Sequence, residues 1–438
     1  MPSLRADGLP PSVRMVLVLV IATAAVQFGT EMILLAKKGE MRDFAACYTA
    51  AVLARSGVSF YDPQPGRPWF AENENPDLMA AARRLGTLHR HAEFEHVHIF
   101  SYPPAMMLLM QPFSLISFQA ARVSWLALSL LAIGWGMWLV GSTIHSHEIP
   151  AFCMVFLALI FQPVRNTLDL GQVNAFMFAL LALYYALYRN GKDVYAGLVL
   201  GLATAIRFHP GLVIVYLLWR RDFRTSVIAI TTAGVVSLLA VPVFGVEESV
   251  LYFTQVAPKF ARALVSVEND SLAGFLATVG PNLGLTQPSQ QVSSPWTARL
   301  AAGFVLALTA FFLTTSVPRR GTRVADLEFA LILAMIPLAT PNATINHLII
   351  LLPSYWILFE YLLGEERDGH VLIFWLAGLS AILIGVVNDL YAHPLLSKGL
   401  LVFIAEIKFY GLVLLYAAIV SLLFKIRGSE GLGSPARL

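Results

Sequence analysis

The sequence predicts an all-α polytopic membrane protein, and two properties of its composition support this. The chain has 438 residues, of which 57% are hydrophobic and only 13% are charged, whereas soluble globular proteins contain about 25% charged residues. Apolar runs recur along its whole length, and since a crossing helix needs roughly 20 such residues, we expect roughly 10–13 membrane helices, some of them short or broken. The net charge of +3 comes from basic residues in short loops, so no nucleic-acid partner is predicted.

The first apolar run covers residues 13–35 and follows Arg5 and Arg14. It is longer than the core of a signal peptide, and no small-residue cleavage site precedes the charged stretch after it. We therefore expect it to remain as the first membrane helix. The two cysteines, Cys47 and Cys153, set no disulfide framework and are expected to be unpaired thiols.

The further apolar segments alternate with connections whose Lys and Arg content indicates orientation. These segments lie near 104–116, 122–141, 149–163, 172–189, 195–206, 210–219, 225–245, 271–285, 298–317, 326–340, 345–363, 371–390 and 400–424. Basic connections, expected inside, contain Arg5, Arg14, Arg189, Lys192, residues 220–224, residues 318–323, Arg367, Lys425 and Arg427. Connections poor in basic residues, expected outside, are 164–171, 341–346 and 391–398.

These basic loops restrict which segments can cross. Segment 104–116 is short, and segment 195–219 consists of two short arms broken at "IRFHP". If the first only dips into the bilayer and the second enters and returns, every basic loop falls inside; a single kinked span at 195–219 is the simpler alternative. Because non-helical backbone at membrane depth must line a cavity or be buried, broken helices around an internal polar site are predicted.

We treat residues 1–438 as a single transmembrane domain. Residues 36–100 form a charged first outer loop, and residues 246–297 form a second outer loop that includes a moderately apolar stretch. Within the first loop, Phe44 and Tyr48 recur at helical spacing. An apolar stripe with flanking charges predicts a juxtamembrane helix that lies in the membrane interface; ordinary packing on the bundle is a compatible interpretation.

Polar residues crowd the predicted outer side. Ionisable groups within or at the edge of a membrane are costly and indicate function. A transporter would place such groups near the midplane in matched halves of a repeat, and no such repeat is evident. One-sided crowding favours an enzyme that acts on lipid-borne substrates, with a transporter or flippase of lipid-linked sugars as the alternative. The motifs are Asp43, "FSYPP" at 100–104, "LDLGQVN" at 168–174, "IRFHP" at 206–210, "VENDSLAG" at 267–274 and "TPNATINH" at 340–347.

The order and wording of these motifs resemble glycosyltransferase family 87, polyprenyl-phosphate-dependent mannosyltransferases of the GT-C type. The resemblance is carried by "DFAACYTAAVLARSGVSFYDP", "FSYPPAMMLLMQPFSLIS", "DLGQVNAFMFALLAL", "AGLVLGLATAIRFHPGLVIVYLLWRRDFR", "NDSLAGFL" and "PNATINHLIILLP". It implies a GT-C fold and inverting transfer of a sugar, usually mannose, from a polyprenyl monophosphate to a lipid or glycan acceptor. It further implies a multi-pass protein of the bacterial inner membrane whose active site faces the periplasm.

The resemblance places the family's catalytic base on Asp43. A sugar hydroxyl is a poor nucleophile, and one carboxylate that takes its proton suffices for an inverting reaction. Helix N-capping is the competing interpretation of Asp43. The chain departs from the family at two positions, because Arg207 stands where Lys is usual and Asn346-His347 stands where two histidines are often found.

The leaving phosphate requires cationic or N–H donors, and Arg207, His209 and His347 are the candidates. Structural histidines are the alternative for the last two. The candidates for sugar hydroxyls are Gln172, Asn174 and Asp169, with helix capping as the alternative; Asp169 is also a candidate second carboxylate. Further candidates for contact with donor or acceptor are Asn269, Asp270 and Ser271, although Asp270 could instead N-cap the following segment, and Tyr102, which could instead form part of a rigid turn.

One histidine-rich stretch, "HRHAEFEHVH" at 89–98, could bind a divalent transition metal. It contains His89, His91, His96 and His98 but matches no tetrahedral spacing signature. We therefore expect no metal site and no resident cofactor.

Overall fold

The computed structural model describes the backbone of most of the chain. The described residues are 9–61, 75–91, 94–96, 100–282, 292–313, 320–363, 370–387, 396 and 399–432. Of residues 89–91 and 94–96, only the backbone is described. They form two short antiparallel strands, β1 His89–His91 and β2 Phe94–His96. Everything else of regular structure in the described ranges is helical.

The helices of the first half of the chain surround the polar motifs. They are α1 Pro11–Lys38, α2 Arg42–Arg55, α3 Pro76–Leu85, α4 Pro104–Met110, α5 Phe118–Ile144, α6 Glu148–Ile160, α7 Gln162–Leu170, α8 Asn174–Arg189, α9 Asp193–Ile206 and α10 Gly211–Trp219, with a 3₁₀ helix at Gln111–Leu115.

The second half completes the bundle. Its helices are α11 Phe223–Leu239, α12 Val241–Phe244, α13 Val246–Leu251, α14 Ala257–Phe260, α15 Leu272–Asn282, α16 Pro295–Phe312, α17 Arg323–Ala339, α18 Leu352–Leu363, α19 Val371–Gly385, α20 Val402–Ala405 and α21 Ile407–Leu432. A π-helical turn covers Tyr252–Val256, and 3₁₀ helices cover Ile345–Leu351 and Gly399–Leu401.

Six helical segments of the described chain are long and apolar enough to cross a membrane, or seven if the α6–α7 pair, bent by 43°, counts as one span. This confirms the prediction of an all-α, multi-pass membrane protein. The count is lower than the expected 10–13 because several helices are short. For example, α8 has 16 residues and α17 has 17, below the roughly 20 of a full span, although both connect the two ends of the bundle.

One end of the bundle collects the basic loops. Arg320 forms ion pairs with Asp193 and with Asp222, so the start of α9 and the start of α11 lie side by side. Arg189, the last residue of α8, pairs with Asp326 in the first turn of α17. We call this the basic end. The loops that carry Arg189, residues 220–224 and residues 320–323 therefore lie together, as the hairpin hypothesis requires.

Helices α9 and α11 run parallel and in very close contact. A Cβ added to Gly197 would lie 2.8 Å from Ile228, and one added to Gly201 would lie 2.4 Å from the carbonyl oxygen of Ala229. The two glycines form a G-x-x-x-G pattern, which lets membrane helices approach closely. Because α9 leaves the basic end and α11 leaves it again in the same direction, α10 must return. Segment 193–219 is thus a hairpin that leaves the basic end and returns to it, which favours the hairpin hypothesis over a single kinked span. We call it the re-entrant hairpin.

Two other segments, residues 104–116 and helix α2, are not full membrane spans. Residues 104–116 form the short α4 followed by a 3₁₀ helix, which is too short to cross. Helix α2 is buried on nearly all sides, including Phe44 and Tyr48, and the hydroxyl of Tyr48 donates to Ile116 O at 2.8 Å. Helix α2 therefore packs on the bundle, as the second of its two compatible interpretations expects.

A buried ion-pair cluster anchors the returning arm of the hairpin. Glu328 on α17 is fully buried and pairs with Arg220, at the end of α10, and with Arg427 on α21, the latter at 2.7 Å. The hydroxyl of Tyr216 donates to the same carboxylate at 2.9 Å. Three elements that are distant in sequence thus share one carboxylate.

We predict that Glu328→Gln destabilises the protein by about 3–5 kcal/mol, because the buried Arg220 guanidinium loses its counter-charge. The matched control is Glu148→Gln, which breaks the exposed pair with Arg14 and should cost about 0–1 kcal/mol. Unfolding of both purified variants in the same detergent would measure the difference. Equal losses would contradict the anchoring role of Glu328.

Candidate functional site

A cavity of about 800 Å³ lies at the end of the bundle opposite the basic end. Asn174, beside the cavity, and Arg189, at the basic end, are the first and last residues of α8, so about 24 Å of helix separates the two regions. The walls come from the start of α2, the tip of the re-entrant hairpin, the end of α17 and the loop that precedes the 3₁₀ helix at Ile345–Leu351. Most of the polar motifs identified in the sequence meet here.

Gln172 connects the predicted base to the opposite side of the cavity. Its Nε2 donates to the Asp43 carboxylate. Its Oε1 accepts from the hydroxyl of Tyr102 at 2.8 Å and from Arg207 Nη1 at 3.4 Å. Burial raises the pKa of the Tyr102 phenol above its ordinary value, so this hydroxyl remains a donor.

Arg207 lies at the tip of the re-entrant hairpin and has polar partners on several sides. Its Nη1 donates to Asn174 Oδ1, and its Nη2 contacts His347 Nε2. The guanidinium also lies over the ring of Tyr102, 5.3 Å from the centroid, within the range of a cation–π interaction. Four of the predicted site residues thus surround Arg207: Tyr102, Gln172, Asn174 and His347.

The local backbone holds the ring of His347 in place. The Thr344 N–H donates to His347 Nδ1 at 2.9 Å, as part of a capping box that begins the 3₁₀ helix. The same Nδ1 lies 3.0 Å from Thr344 Oγ1 and 3.3 Å from Thr344 O. These contacts orient the ring so that Nε2 faces Arg207 Nη2. An anion that enters this part of the cavity would meet both groups.

The capping alternatives can now be compared with the helix starts. The N-cap of α2 is Met41, so Asp43 lies inside the first turn, where negative charge is favoured by the helix dipole. The N-cap of α8 is Val173, and the hydroxyl of Ser271 accepts from Gly274 N–H at 2.9 Å at the start of α15. Neither Asp43 nor Asp270 therefore occupies a capping position.

Gly171 sets the approach of α2 to the loop before α8. Its φ is +68°, and an added Cβ would lie 2.5 Å from Phe44 Cβ. Its carbonyl oxygen accepts from the indole N–H of Trp125 at 2.9 Å. The left-handed conformation turns the chain so that Gln172 faces Asp43, and only glycine fits at this contact.

The other predicted residues occupy different positions around the cavity. Asp169, His209 and Asp270 line it, and the ring centroids of His209 and His347 are 6.1 Å apart. By contrast, Asn269 is fully buried and connects two loops, because its Nδ2 donates to Leu264 O at 3.1 Å and to Pro341 O at 3.0 Å.

Some cavity residues were not found from the sequence. Lys408 lines the wall and is 5% exposed, and its Nζ donates to Val387 O at 3.1 Å. The signal was available, since Lys408 is a charged residue within the apolar run 400–424. Cys47 also lines the cavity, one helical turn after Asp43. The side chains of the histidine-rich stretch at 89–98, where no metal site was expected, lie outside the described residues.

Comparison with known proteins decides the family. Residues 100–341, more than half of the chain, match Glycosyltransferase family 87. The chain belongs to this family. The matched range contains the tip of the re-entrant hairpin and Gln172, and it ends at Pro341 in the cavity wall.

Several relatives of this family 87 chain come from mycobacteria. A polyprenol-phosphate-mannose-dependent alpha-(1-2)-phosphatidylinositol pentamannoside mannosyltransferase of Mycobacterium tuberculosis is 25% identical, over 63% of this chain and 62% of the relative. A polyprenol-phosphate-mannose-dependent alpha-(1-2)-phosphatidylinositol mannoside mannosyltransferase of the same species is 28% identical, over 61% and 63%. The chain thus matches somewhat under two thirds of the length of these relatives.

A structural comparison adds a weaker similarity. The crystal structure of ArnT from Cupriavidus metallidurans covers 94% of this chain and 77% of its own, with a TM-score of 0.35 and 15% identity. A similarity at this level supports no conclusion about the family 87 chain.

We predict that Gly171→Ala destabilises the family 87 chain more than Gly191→Ala does. Both glycines have a positive φ, but an added Cβ meets nothing within 4 Å at Gly191, so only the backbone cost of about 1–2 kcal/mol applies there. At Gly171 the clash with Phe44 adds roughly 1–3 kcal/mol. Thermal unfolding of both variants measures the difference, and equal shifts would show that α2 yields to the added methyl group.

Proposed function

We propose that this protein is an inverting glycosyltransferase of the GT-C type that moves a sugar, mannose, from a polyprenyl monophosphate donor to a lipid or glycan acceptor. One observation supports this more than the others. Gln172 contacts both Asp43 and Arg207. Two hydrogen bonds on either side of one amide place the carboxylate and the guanidinium within roughly 8 Å. A base and an anion-binding group therefore lie about one monosaccharide apart.

Asp43 acts as the base in this proposal. The acceptor hydroxyl approaches the anomeric carbon from the face opposite the phosphate and transfers its proton to the Asp43 carboxylate. The new C–O bond forms as the bond between the anomeric carbon and the phosphate oxygen breaks. The phosphate leaves with the bonding electrons, so no covalent enzyme intermediate is required. Gln172 holds the carboxylate in place through its donated hydrogen bond.

Arg207 and His347 receive the leaving phosphate. Both side chains are held at the cavity wall, and polar groups that are fixed in advance stabilise developing charge at little reorganisation cost. His209 adds a third group, because within the described chain its buried Nε2 has no hydrogen-bond partner. Asn174 is fully buried and holds Arg207, so we assign it to positioning rather than to sugar contact.

The acceptor and the donor sugar share the remaining polar wall. Tyr102 and Gln172 line the cavity together with Asp43. Asp169 and Asp270 line the same cavity. Carboxylates and amides are suited to sugar hydroxyls, since they accept and donate hydrogen bonds in defined directions. Asn269 supports the loop that presents Asp270.

The charge distribution supports a location for the enzyme. Loops rich in Lys and Arg stay on the cytoplasmic side, which favours the cytoplasm for the basic end and the outside for the cavity. We therefore propose a bacterial inner-membrane enzyme that works on the periplasmic face, with residues 36–100 and 246–297 as its two outer loops. The mannosyltransferase names of the relatives agree with this assignment, and no specific observation favours a flippase.

The direct test uses purified protein in detergent or vesicles, polyprenyl-phosphate mannose and a panel of lipid and glycan acceptors. Transfer of labelled mannose with inversion at the anomeric carbon is expected. No transfer from any polyprenyl-phosphate sugar would overturn the proposal.

We predict that Asp43→Asn lowers kcat by roughly 10²–10⁴-fold, because a base of this type contributes about that factor. The asparagine keeps the size of the side chain and a hydrogen bond to Gln172, so folding should be unaffected. The matched control is Asp169→Asn, which alters another cavity carboxylate and should change kcat much less. Near-normal turnover by Asp43→Asn would remove Asp43 from the base role.

Arg207→Gln should lower kcat/KM by about 10²–10³-fold, since one charged donor to the leaving phosphate is lost. Arg207→Lys should retain more activity than Arg207→Gln, because the charge remains although the planar fork does not. An exposed arginine on α16, Arg299, serves as the control, and Arg299→Gln should leave both kinetic parameters unchanged. Equal activity of the two Arg207 variants would contradict a charge-based role.

A further inference from the structure

The cavity wall at the hairpin tip is shared between the cavity and the outer surface of the bundle. Phe208 lines the cavity and is nevertheless 48% exposed. Its ring centroid lies 6.0 Å from that of Tyr252 and 6.2 Å from that of Phe253. Tyr252 lines the cavity and is 3% exposed, whereas Phe253 is 53% exposed. These three rings, the aromatic trio, lead from the interior to the surface.

The backbone beside the trio is unusual. Tyr252 and Phe253 begin a π-helical turn that ends at Val256, between α13 and α14. Single π turns are rare and occur frequently at functional sites, because they interrupt the regular ladder of helix hydrogen bonds. The turn thus presents two adjacent aromatic side chains, one towards the cavity and one towards the outside.

An apolar track continues from the trio along the hairpin. Leu212 lines the cavity, and Val215 and Trp219 are 50% and 56% exposed. Positions i, i+3 and i+7 share one face of a helix, so these side chains form a continuous stripe on α10 that descends towards the basic end. The track therefore begins at the cavity and faces the surroundings of the bundle.

The covalent structure of a lipid monophosphate limits where its hydrocarbon chain can leave the cavity. Its hydrocarbon chain is attached to the phosphate through one oxygen, so the chain must leave within a few ångströms of the groups that bind the phosphate. Phe208 follows Arg207 directly, with about 3.8 Å between their Cα atoms. Gln172 contacts both Arg207 and Asp43, so the sugar lies between these two groups in the proposed reaction.

Resting on the function proposed above, we propose that the aromatic trio frames a lateral portal through which the polyprenyl chain of the donor leaves the cavity. The chain then lies along the stripe of α10. The phosphate remains at Arg207 and the sugar points towards Asp43, so the portal fixes the direction in which the donor enters. The acceptor reaches Asp43 from the opposite part of the cavity.

Photo-crosslinking tests the occupant directly. p-Benzoylphenylalanine is introduced at Phe208, at Phe253 or, as a control, at Phe311, which is 78% exposed on α16. The protein is placed in phosphatidylethanolamine–phosphatidylglycerol vesicles that contain polyprenyl phosphate without sugar. Mass spectrometry should find polyprenyl phosphate adducts at the first two positions and only bulk phospholipid at Phe311. Phospholipid adducts alone at Phe208, or equal polyprenyl labelling at all three positions, would overturn the portal.

Kinetics with donors of two chain lengths give a second measurement. Phe208→Ala should raise the KM of a long-chain polyprenyl-phosphate sugar about tenfold, as expected for the loss of one well-packed apolar contact. The KM of a short-chain donor that ends before the portal should not change, and Phe311→Ala should affect neither donor. An equal rise for both donors would contradict the portal while leaving the transfer reaction intact. Absence of transfer from every donor would instead contradict the proposed function, and the crosslinking result would still decide whether a polyprenyl chain occupies the portal.

Discussion

A guanidinium held inside an apolar bundle needs polar partners on every side, and the arrangement of the site follows from this requirement at Arg207. An uncompensated buried charge costs several kcal/mol. Asn174, Gln172 and His347 meet the cation with side-chain atoms, and the ring of Tyr102 covers it. These groups come from three separate parts of the chain: the loop with Tyr102, the turn with Gln172 and Asn174, and the loop before His347. Placing Arg207 therefore fixes the relative positions of the segments that carry the proposed chemistry.

The same requirement explains the opposite end of the bundle. Arg207 reaches its depth only because α9 and α10 enter and return, which brings the charged residues at both ends of the hairpin to one place. There Arg320 pairs with Asp193 and Asp222. Glu328 pairs with Arg220, at the end of α10, and with Arg427 on α21. The charges at the base thus compensate one another, while those at the tip are arranged to meet an anion. Close glycine packing against α11 keeps the two ends in register.

Much of this could be predicted from the sequence, because the relevant signals are local. Polar residues at the ends and breaks of apolar runs indicated Gln172, Arg207 and His347, the family resemblance gave Asp43 its candidate role, and the basic loops favoured a segment that enters and returns. What could not be predicted depends on contacts between distant segments. The role of Asn174 becomes visible only beside Arg207, and the all-round burial of α2 depends on the helices that surround it.

Two differences between sequence and structure have physical causes. Capping was the competing interpretation of Asp43, since aspartate is common at helix starts, but the helix begins at Arg42 after a left-handed Met41. Lys408 lies inside the long apolar run 400–424, which predicted a membrane helix, so no function was predicted for its charge. The sequence showed the residue, yet only the fold shows that its helix borders the cavity.

The size of the cavity has a consequence for the order of events. At about 800 Å³ it lies in the upper part of the range for small-molecule sites, about 300–1,000 Å³. A chamber of this size holds the donor sugar and an acceptor sugar together. Because the proposed displacement forms no covalent enzyme intermediate, both substrates bind before either product departs, which gives a sequential bisubstrate scheme with a ternary complex rather than a ping-pong cycle. Double-reciprocal plots at different acceptor concentrations would intersect.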